Sequence, residues 1–281
     1  MEKQYIDIIH DVYPSLSQSE KRVADYVMEN VTNILRMSSR ELRDAVNVSE
    51  PTIFRFCRTL GFTGFRDFKI SMAQQTSTFK NYFLSNDSFE SNLQALIHRA
   101  LQSEIKVIET TLKMLDYALL EKIAKSILAA KRICLFGAGA SILACNDARR
   151  KFSRLGINAW SFSDFHDAFP ILGTFAKQDM LIAVSHLGIT RETENVLRFT
   201  FNRKASTVLL TAYPNTRMRP YVNTILRTYA QETVDNRIVG AARLSQFVML
   251  DALFIAVASM LCDDELHMIE QTSREIKNTL N

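Results

Sequence analysis

Five short apolar runs in the second half of the chain constrain its fold more than any other feature. They are 132-RICLF-136, 157-INAWSF-162, 179-DMLIAVS-185, 206-STVLLTA-212 and 224-TILRT-228, and they alternate with segments of helical periodicity. Strands that read as nearly continuous apolar runs are buried on both faces, which calls for helices on each side of a parallel sheet. The pattern predicts an α/β domain, a parallel five-stranded sheet flanked by helices. The chain has few residues that break helices, with 8 Gly and 5 Pro, so the remainder reads as helix-rich.

The first run leads into 135-LFGAGASILACNDARRKFSRLG-156, where Gly137 and Gly139 let the backbone turn tightly and Ser141 opens a helix. Such a turn gathers backbone N–H groups at the positive end of a helix dipole. The third run ends in 185-SHLGIT-190, with the acidic, amphipathic RETENVLRF directly after it. Parallel strands share an exit edge, so Ser141 and the loop carrying Ser185, Gly188 and Thr190 are expected to converge on one crevice. Neutral hydroxyls, N–H groups and two helix N-termini suit a phosphate dianion without a buried lysine or arginine. By its chemistry this is a phosphosugar site. Two other readings stand beside it. Ser185 and Thr190 could simply cap the helix that begins near Arg191. A dinucleotide reading would need glycine at position 142, where Ile142 stands, although Asp164 could imitate the ribose-binding acid. No cofactor is assigned.

The first 75 residues read differently. Ser17 with Glu20, and Ser38 with Glu41, have the capping-box spacing that starts helices, placed near Ser19–Asn30 and Ser39–Val46. In 46-VNVSEPTIFRFCRTLGF-62, Asn47 suits a left-handed turn, Ser49 an N-cap, and Pro51 the first turn of a second helix that Gly61 ends. Ile53, Phe56, Cys57 and Leu60 share one face of that helix; Thr52, Arg55, Arg58 and Thr59 are expected mostly elsewhere. Phe54 falls near the exposed side with no role that helical periodicity explains. Two short helices about a three- to four-residue turn form a helix–turn–helix, whose second helix can lie in the major groove. Ser49, Thr52, Arg55 and Arg58 are the candidate DNA contacts on it, with Arg66 and Lys69 behind them for the backbone. Between Arg36 and Lys69 there are seven basic residues and four acidic ones, a modest bias that exposed arginines facing only water would also satisfy.

The run LSQSEKRVADYVMEN…MSSRELRDAVNVSEPTIFRFCRTLGFTGFRDFKI resembles the N-terminal domain of the RpiR family of bacterial transcriptional regulators, over roughly residues 16–72. Asn47 replaces the glycine usual in the turn. Members join this domain to a sugar isomerase (SIS) domain, and residues from about Leu120 to Leu261 resemble one. The matching stretches are 136-FGAGAS-141, 161-SFSDFH-166, 185-SHLGIT-190 and 232-ETVDNRIVGAARLSQFVMLDALF-254. The family pattern S-x-S-G-x-T has Leu187 at its second serine here, so only Ser185, Gly188 and Thr190 carry over. His166 and Glu232 are further ligand candidates, able to orient sugar hydroxyls. His186, Asp164 and Arg237 receive no role.

These readings divide the chain into an all-α helix–turn–helix domain (1–75), a linker and connecting helix (76–115) and an SIS-type phosphosugar-binding domain (116–281). The net charge of +4 permits a nucleic-acid partner without demanding one. The four cysteines lack C-x-x-C spacing and sit in apolar segments, so reduced core thiols are expected rather than metal ligands. The most apolar stretch, 244-LSQFVMLDALFIAVASMLC-262, contains Gln246 and Asp251 and reads as a buried helix, not a membrane span. No long apolar leader opens the sequence, and a cytoplasmic protein is expected. Its apolar surface predicts a homodimer or homotetramer through the C-terminal domain. The expected function is a regulator, and a repressor on the resemblance, of sugar or amino-sugar catabolism genes. It would bind a double-stranded operator and respond to a phosphorylated sugar. The alternatives are a sugar-phosphate isomerase, with Glu232 or His166 as base, and a structural dimerisation module.

Overall fold

The computed structural model describes residues 5–76, 93–229, 240, 242–262 and 271. Two compact units form: the first runs through Ser103 and also takes in Asn215–Arg217, and the second begins at Glu104.

The first unit is helical: α1 (Tyr5–Val12), α2 (Gln18–Glu29), the single turn α3 (Val31–Ile34), α4 (Ser39–Val46), α5 (Glu50–Thr59) and α6 (Phe65–Thr76). Both predicted capping boxes form. The Ser17 and Ser38 hydroxyls each accept from the backbone of the residue three positions on, while Glu20 and Glu41 reach back to the cap N–H. Asn47 adopts the left-handed conformation, φ 50°, that turns the chain from α4 into α5. Ile53, Phe56 and Cys57 of α5 are buried with Val23 and Val27 of α2, Leu42 of α4 and Phe68 of α6. Phe56 and Tyr5 meet the Phe68 ring edge-on.

α7 (Leu93–Lys113) follows. Val107 and Thr111 are buried, whereas Leu93, Ile97, Leu101, Ile105 and Leu112 are 46–71% exposed.

The second unit contains α8 (Tyr117–Ala129), β1 (Arg132–Gly137), α9 (Ser141–Arg154), β2 (Ala159–Phe162), α10 (Phe165–Leu172), β3 (Asp179–Val184), α11 (Arg191–Asn202), β4 (Ser206–Thr211), β5 (Thr224–Arg227) and α12 (Ala242–Ala258). The five strands pair in parallel in the order β2-β1-β3-β4-β5. Side chains alternate between the faces of a strand. Ile133, Leu135, Met180, Ile182 and Leu210 accordingly join a core with α8, α9 and α12, while Cys134, Phe136, Leu181, Ala183 and Leu209 join another with α10 and α11. At the opening of β1 and β3, Arg132 and Asp179 are register partners and form an ion pair at 2.9 Å.

Asp251, the acid inside the most apolar stretch, is partnered: Lys151 of α9 binds both it and Asp147, joining α9 to α12. Cys57, Cys134 and Cys145 are buried, as expected, but Cys262 is exposed because it lies past the end of α12. Burial pushes the Cys57 and Cys134 thiols up to about 12, far from reactive thiolates. Among the described residues no cluster of His, Cys, Asp and Glu could hold a metal, and no helix is long and apolar enough to cross a membrane.

Candidate functional site

In the sheet, chain order reverses direction between β1 and β3: β2 lies to one side of β1 and β3 to the other. That is the switch point at which the loops leaving two adjacent strands part and open a crevice. Gly137 and Val184 are the last register partners of β1 and β3, so the two loops leave from neighbouring backbone positions.

The β1 loop depends on the absence of a side chain at Gly137. A Cβ there would lie 2.9 Å from both the Cys145 Sγ and the Ser141 carbonyl carbon. Gly139 has φ +58°. The turn delivers Ser141 to the first position of α9, whose N-cap, Ala140, has no side chain able to cap it. The Ser141 Oγ accepts from the Gln246 Nε2 of α12 at 3.1 Å. Gln246 is 3% exposed, and its Oε1 has no hydrogen-bond partner.

The β3 loop is anchored to β4. The Ala212 N–H and the Thr211 hydroxyl both donate to the His186 carbonyl, and the Ser185 N–H donates to the Leu210 carbonyl. Gly188, at φ +67°, closes a turn onto the Ser185 carbonyl. The Ser185 and Thr190 hydroxyls lie 3.1 Å apart. Thr190 occupies the N-cap of α11, yet its side chain makes no capping hydrogen bond. The capping reading of these hydroxyls is therefore not what the geometry shows. Leu187 is half-buried and adds no polar atom. Arg191, the first residue of α11, is exposed beside the loop.

Ser141, Ser185 and Thr190 thus stand at the exits of adjacent strands, beside two helix N-termini whose N-cap residues, Ala140 and Thr190, make no side-chain capping bond. An anion is the complementary guest. His166 lies in the first turn of α10, beyond the edge strand β2, where it is exposed and its N–H donates to Asp164. Asp164 is the N-cap of α10, accepting from the His166 and Asp167 N–H groups, which accounts for it without a ribose. Glu232 and Arg237 lie outside the described residues.

In the helical unit, α4 and α5 flank the turn Asn47–Ser49. Glu50, Phe54, Arg55, Arg58 and Thr59 are exposed on α5. Thr52 is not, and its expected place on the outer face is corrected: it is 4% exposed, 2.9 Å from the Ser49 Oγ, and accepts from Arg55 at 3.4 Å. The Ser49 hydroxyl is turned to Thr52 instead of capping the helix backbone. Lys69 is also partly engaged, donating to the Met37 carbonyl at 2.8 Å over the Phe65 ring, while Arg66 is exposed. Phe54 now has a local explanation. Its ring packs on Gly64 and lies beneath the Arg58 guanidinium, 5.6 Å away, which steadies that charge on the outer face. A groove of about 560 Å³ runs beside it, lined by Glu50, Phe54, Arg66 and Lys69 among others.

An arginine-bearing helix–turn–helix in one unit, and in the other a parallel sheet with hydroxyl-bearing loops at its switch point, are the parts of a DNA-binding transcriptional regulator that carries an SIS-type domain. Known proteins agree with that class. Residues 3–78 match the helix-turn-helix domain of the rpiR family, and residues 126–256 match the SIS domain. An HTH-type transcriptional regulator of Caldanaerobacter subterraneus subsp. tengcongensis is 30% identical over 270 residues, covering 95% of this chain and 94% of the relative. HexR, an HTH-type transcriptional regulator of Pseudomonas aeruginosa, is 27% identical, covering 91% and 89%. Among solved structures, the Vibrio vulnificus NanR protein complexed with ManNAc-6P superposes with a TM-score of 0.64 at 21% identity, over 98% of each chain. The sugar isomerase domain of an RpiR transcription factor from Sphaerobacter thermophilus gives 0.57 at 19% identity, over 66% of this chain and 99% of that one. The chain belongs to the RpiR family of helix–turn–helix transcriptional regulators.

Proposed function

We propose that this regulator senses a phosphorylated sugar at the β1/β3 crevice and that occupancy alters its affinity for an operator, as a repressor of sugar or amino-sugar catabolism genes. The observation that carries the reading is the set of Ser141, Ser185 and Thr190 hydroxyls at two helix N-termini whose own N-cap residues make no side-chain capping bond. Gly137, Gly139 and Gly188 shape the loops around the anion. Leu187 withholds one hydroxyl from the phosphate, a loss worth ~1.5–3 kcal/mol for a charged acceptor. His166 and Glu232 are assigned to the sugar end. NanR, similar in fold, is complexed with ManNAc-6P, which favours the same ligand class here.

On the DNA side, Arg55 and Arg58 meet bases or phosphates, and Ser49, Arg66 and Lys69 the backbone, while Thr52 positions Arg55 from beneath. The domain limits proposed for these roles are 1–75, 76–115 and 116–281. A homodimer places two reading helices on a two-fold operator in the bacterial cytoplasm. The exposed apolar stripe of α7 and the exposed Ile255 of α12 support a second copy as the partner.

The test begins with selecting an operator from random duplexes with the purified protein. Fluorescence anisotropy with and without a panel of ketose, aldose and amino-sugar phosphates then reads the response. A five- to hundredfold change in operator affinity for one sugar phosphate, about 1–3 kcal/mol of coupling, is expected. Turnover of a sugar phosphate by a protein that selects no DNA would favour the isomerase reading instead.

A further inference from the structure

The amide of Gln246 stands in an unusual position for a side chain on the most apolar helix of the chain. It is almost wholly buried, one end is bonded to Ser141 at the mouth of α9, and the other end has no partner. A buried carbonyl without a hydrogen bond keeps its full desolvation penalty, which a purely structural glutamine would relieve. Its neighbour Ser245 does so locally, donating to the Ala242 carbonyl. Gln246 is held toward Ser141 with its carbonyl oxygen unused.

Resting on the crevice reading above, we propose that Gln246 is a specificity-determining residue that reads a hydroxyl of the bound sugar phosphate. Two physical arguments define the role. A serine hydroxyl has one proton and two lone pairs. Because the Gln246 Nε2 donates to the Ser141 Oγ, the Ser141 proton is left for an anion, and Gln246 sets Ser141 as a donor to phosphate. The unpartnered end is separated by only the width of the carboxamide from the nitrogen bonded to Ser141, which keeps it in that residue's neighbourhood. A sugar hydroxyl both donates and accepts, so it satisfies that end whichever way the amide is turned. Bare phosphate, which has no carbon-borne hydroxyl, leaves it unsatisfied. The site therefore prefers a hydroxylated phosphate ester over inorganic phosphate, and Gln246 supplies part of that preference from α12, the helix that Lys151 also ties to α9.

Calorimetric titration of the full chain with inorganic phosphate, fructose 6-phosphate and N-acetylmannosamine 6-phosphate tests this. Wild type should hold at least one sugar phosphate more tightly than phosphate. Gln246→Met, similar in volume, should reduce that ratio five- to tenfold and change the phosphate affinity less than about threefold. Ser185→Ala should weaken phosphate and sugar phosphate together. Gln246→Glu, which places a charge beside Ser141, should weaken binding of every probe that wild type holds at least tenfold and serves if the methionine variant does not fold. Unfolding midpoints without ligand establish that each variant is folded. An unchanged ratio in Gln246→Met, or unchanged affinities in Gln246→Glu, overturns the role of Gln246 while leaving the crevice standing. A wild type that binds none of the probes, or a Ser185→Ala variant that binds them all as wild type does, overturns the crevice and this inference with it.

Discussion

At the scale of single residues, two glycines and a few hydroxyls decide the crevice. Gly137→Ala forces a methyl against a thiol and a backbone carbon at 2.9 Å. The backbone atom cannot step aside, so a cost of about 1–3 kcal/mol is expected in thermal melts, with loss of ligand affinity as the start of α9 shifts. Ser185→Ala removes a hydroxyl that the fold does not need for capping. It should weaken sugar-phosphate binding by roughly ten- to a hundredfold in calorimetry while leaving operator affinity without ligand unchanged. Sequence reasoning located both residues, because a glycine-rich strand end and a clustered pair of hydroxyls are local signals. It missed Gln246. A lone glutamine on an apolar helix is indistinguishable from a tolerated polar residue until tertiary packing brings it to Ser141, 105 positions away. It also misplaced Thr52, since helical periodicity assigns a residue to a face but does not say how far neighbouring helices wrap around it.

At the scale of elements, the second helix of the helix–turn–helix and the strand openings carry the testable physics. Arg55→Ala and Arg58→Ala should each weaken operator binding and flatten its dependence on salt by about one counterion, read as the slope of log affinity against log salt, with sugar-phosphate affinity unchanged. At the other end of the sheet from the crevice, burial pushes the Asp179 carboxyl up. The Arg132 hydrogen bond, the Ala176 N–H and the charges of Arg132 and Lys131 outweigh it and hold the carboxyl below its ordinary value. A depressed native value stabilises the fold above the ordinary carboxylate range and ceases to do so as pH falls through the native value. Melting temperature should therefore fall between about pH 5 and pH 2. Asp179→Asn should cost roughly 2–4 kcal/mol at neutral pH, less than a fully enclosed pair because Arg132 keeps some solvent, and should flatten that acid limb. Strand positions and capping boxes were legible before any coordinates, because each is encoded within a few consecutive residues. The ion pair was not, since parallel register across 47 residues is needed to bring Arg132 to Asp179.

At the scale of the whole molecule, α7 poses the clearest test of assembly. Its exposed apolar stripe runs from Leu93 to Leu112, about five turns. The double variant Leu101→Glu, Ile105→Glu should sediment as a monomer and lose at least about tenfold in operator affinity, because two half-sites are no longer read by one particle. A dimer that survives both substitutions would move the interface elsewhere, with the face of α12 around Ile255 next to be tested. A connecting helix was expected here, but a hydrophobic repeat reads the same whether it meets a core or a partner. The order of residues along the chain determined the two kinds of domain, the five strands, the helix caps and the two hydroxyl loops, because these follow from backbone preferences and side-chain periods acting over short distances. Only the tertiary structure decided that Thr52 is enclosed, that Arg132 meets Asp179 and that Gln246 meets Ser141. Those outcomes depend on how residues far apart in the chain come within a few ångströms, and no local preference specifies that.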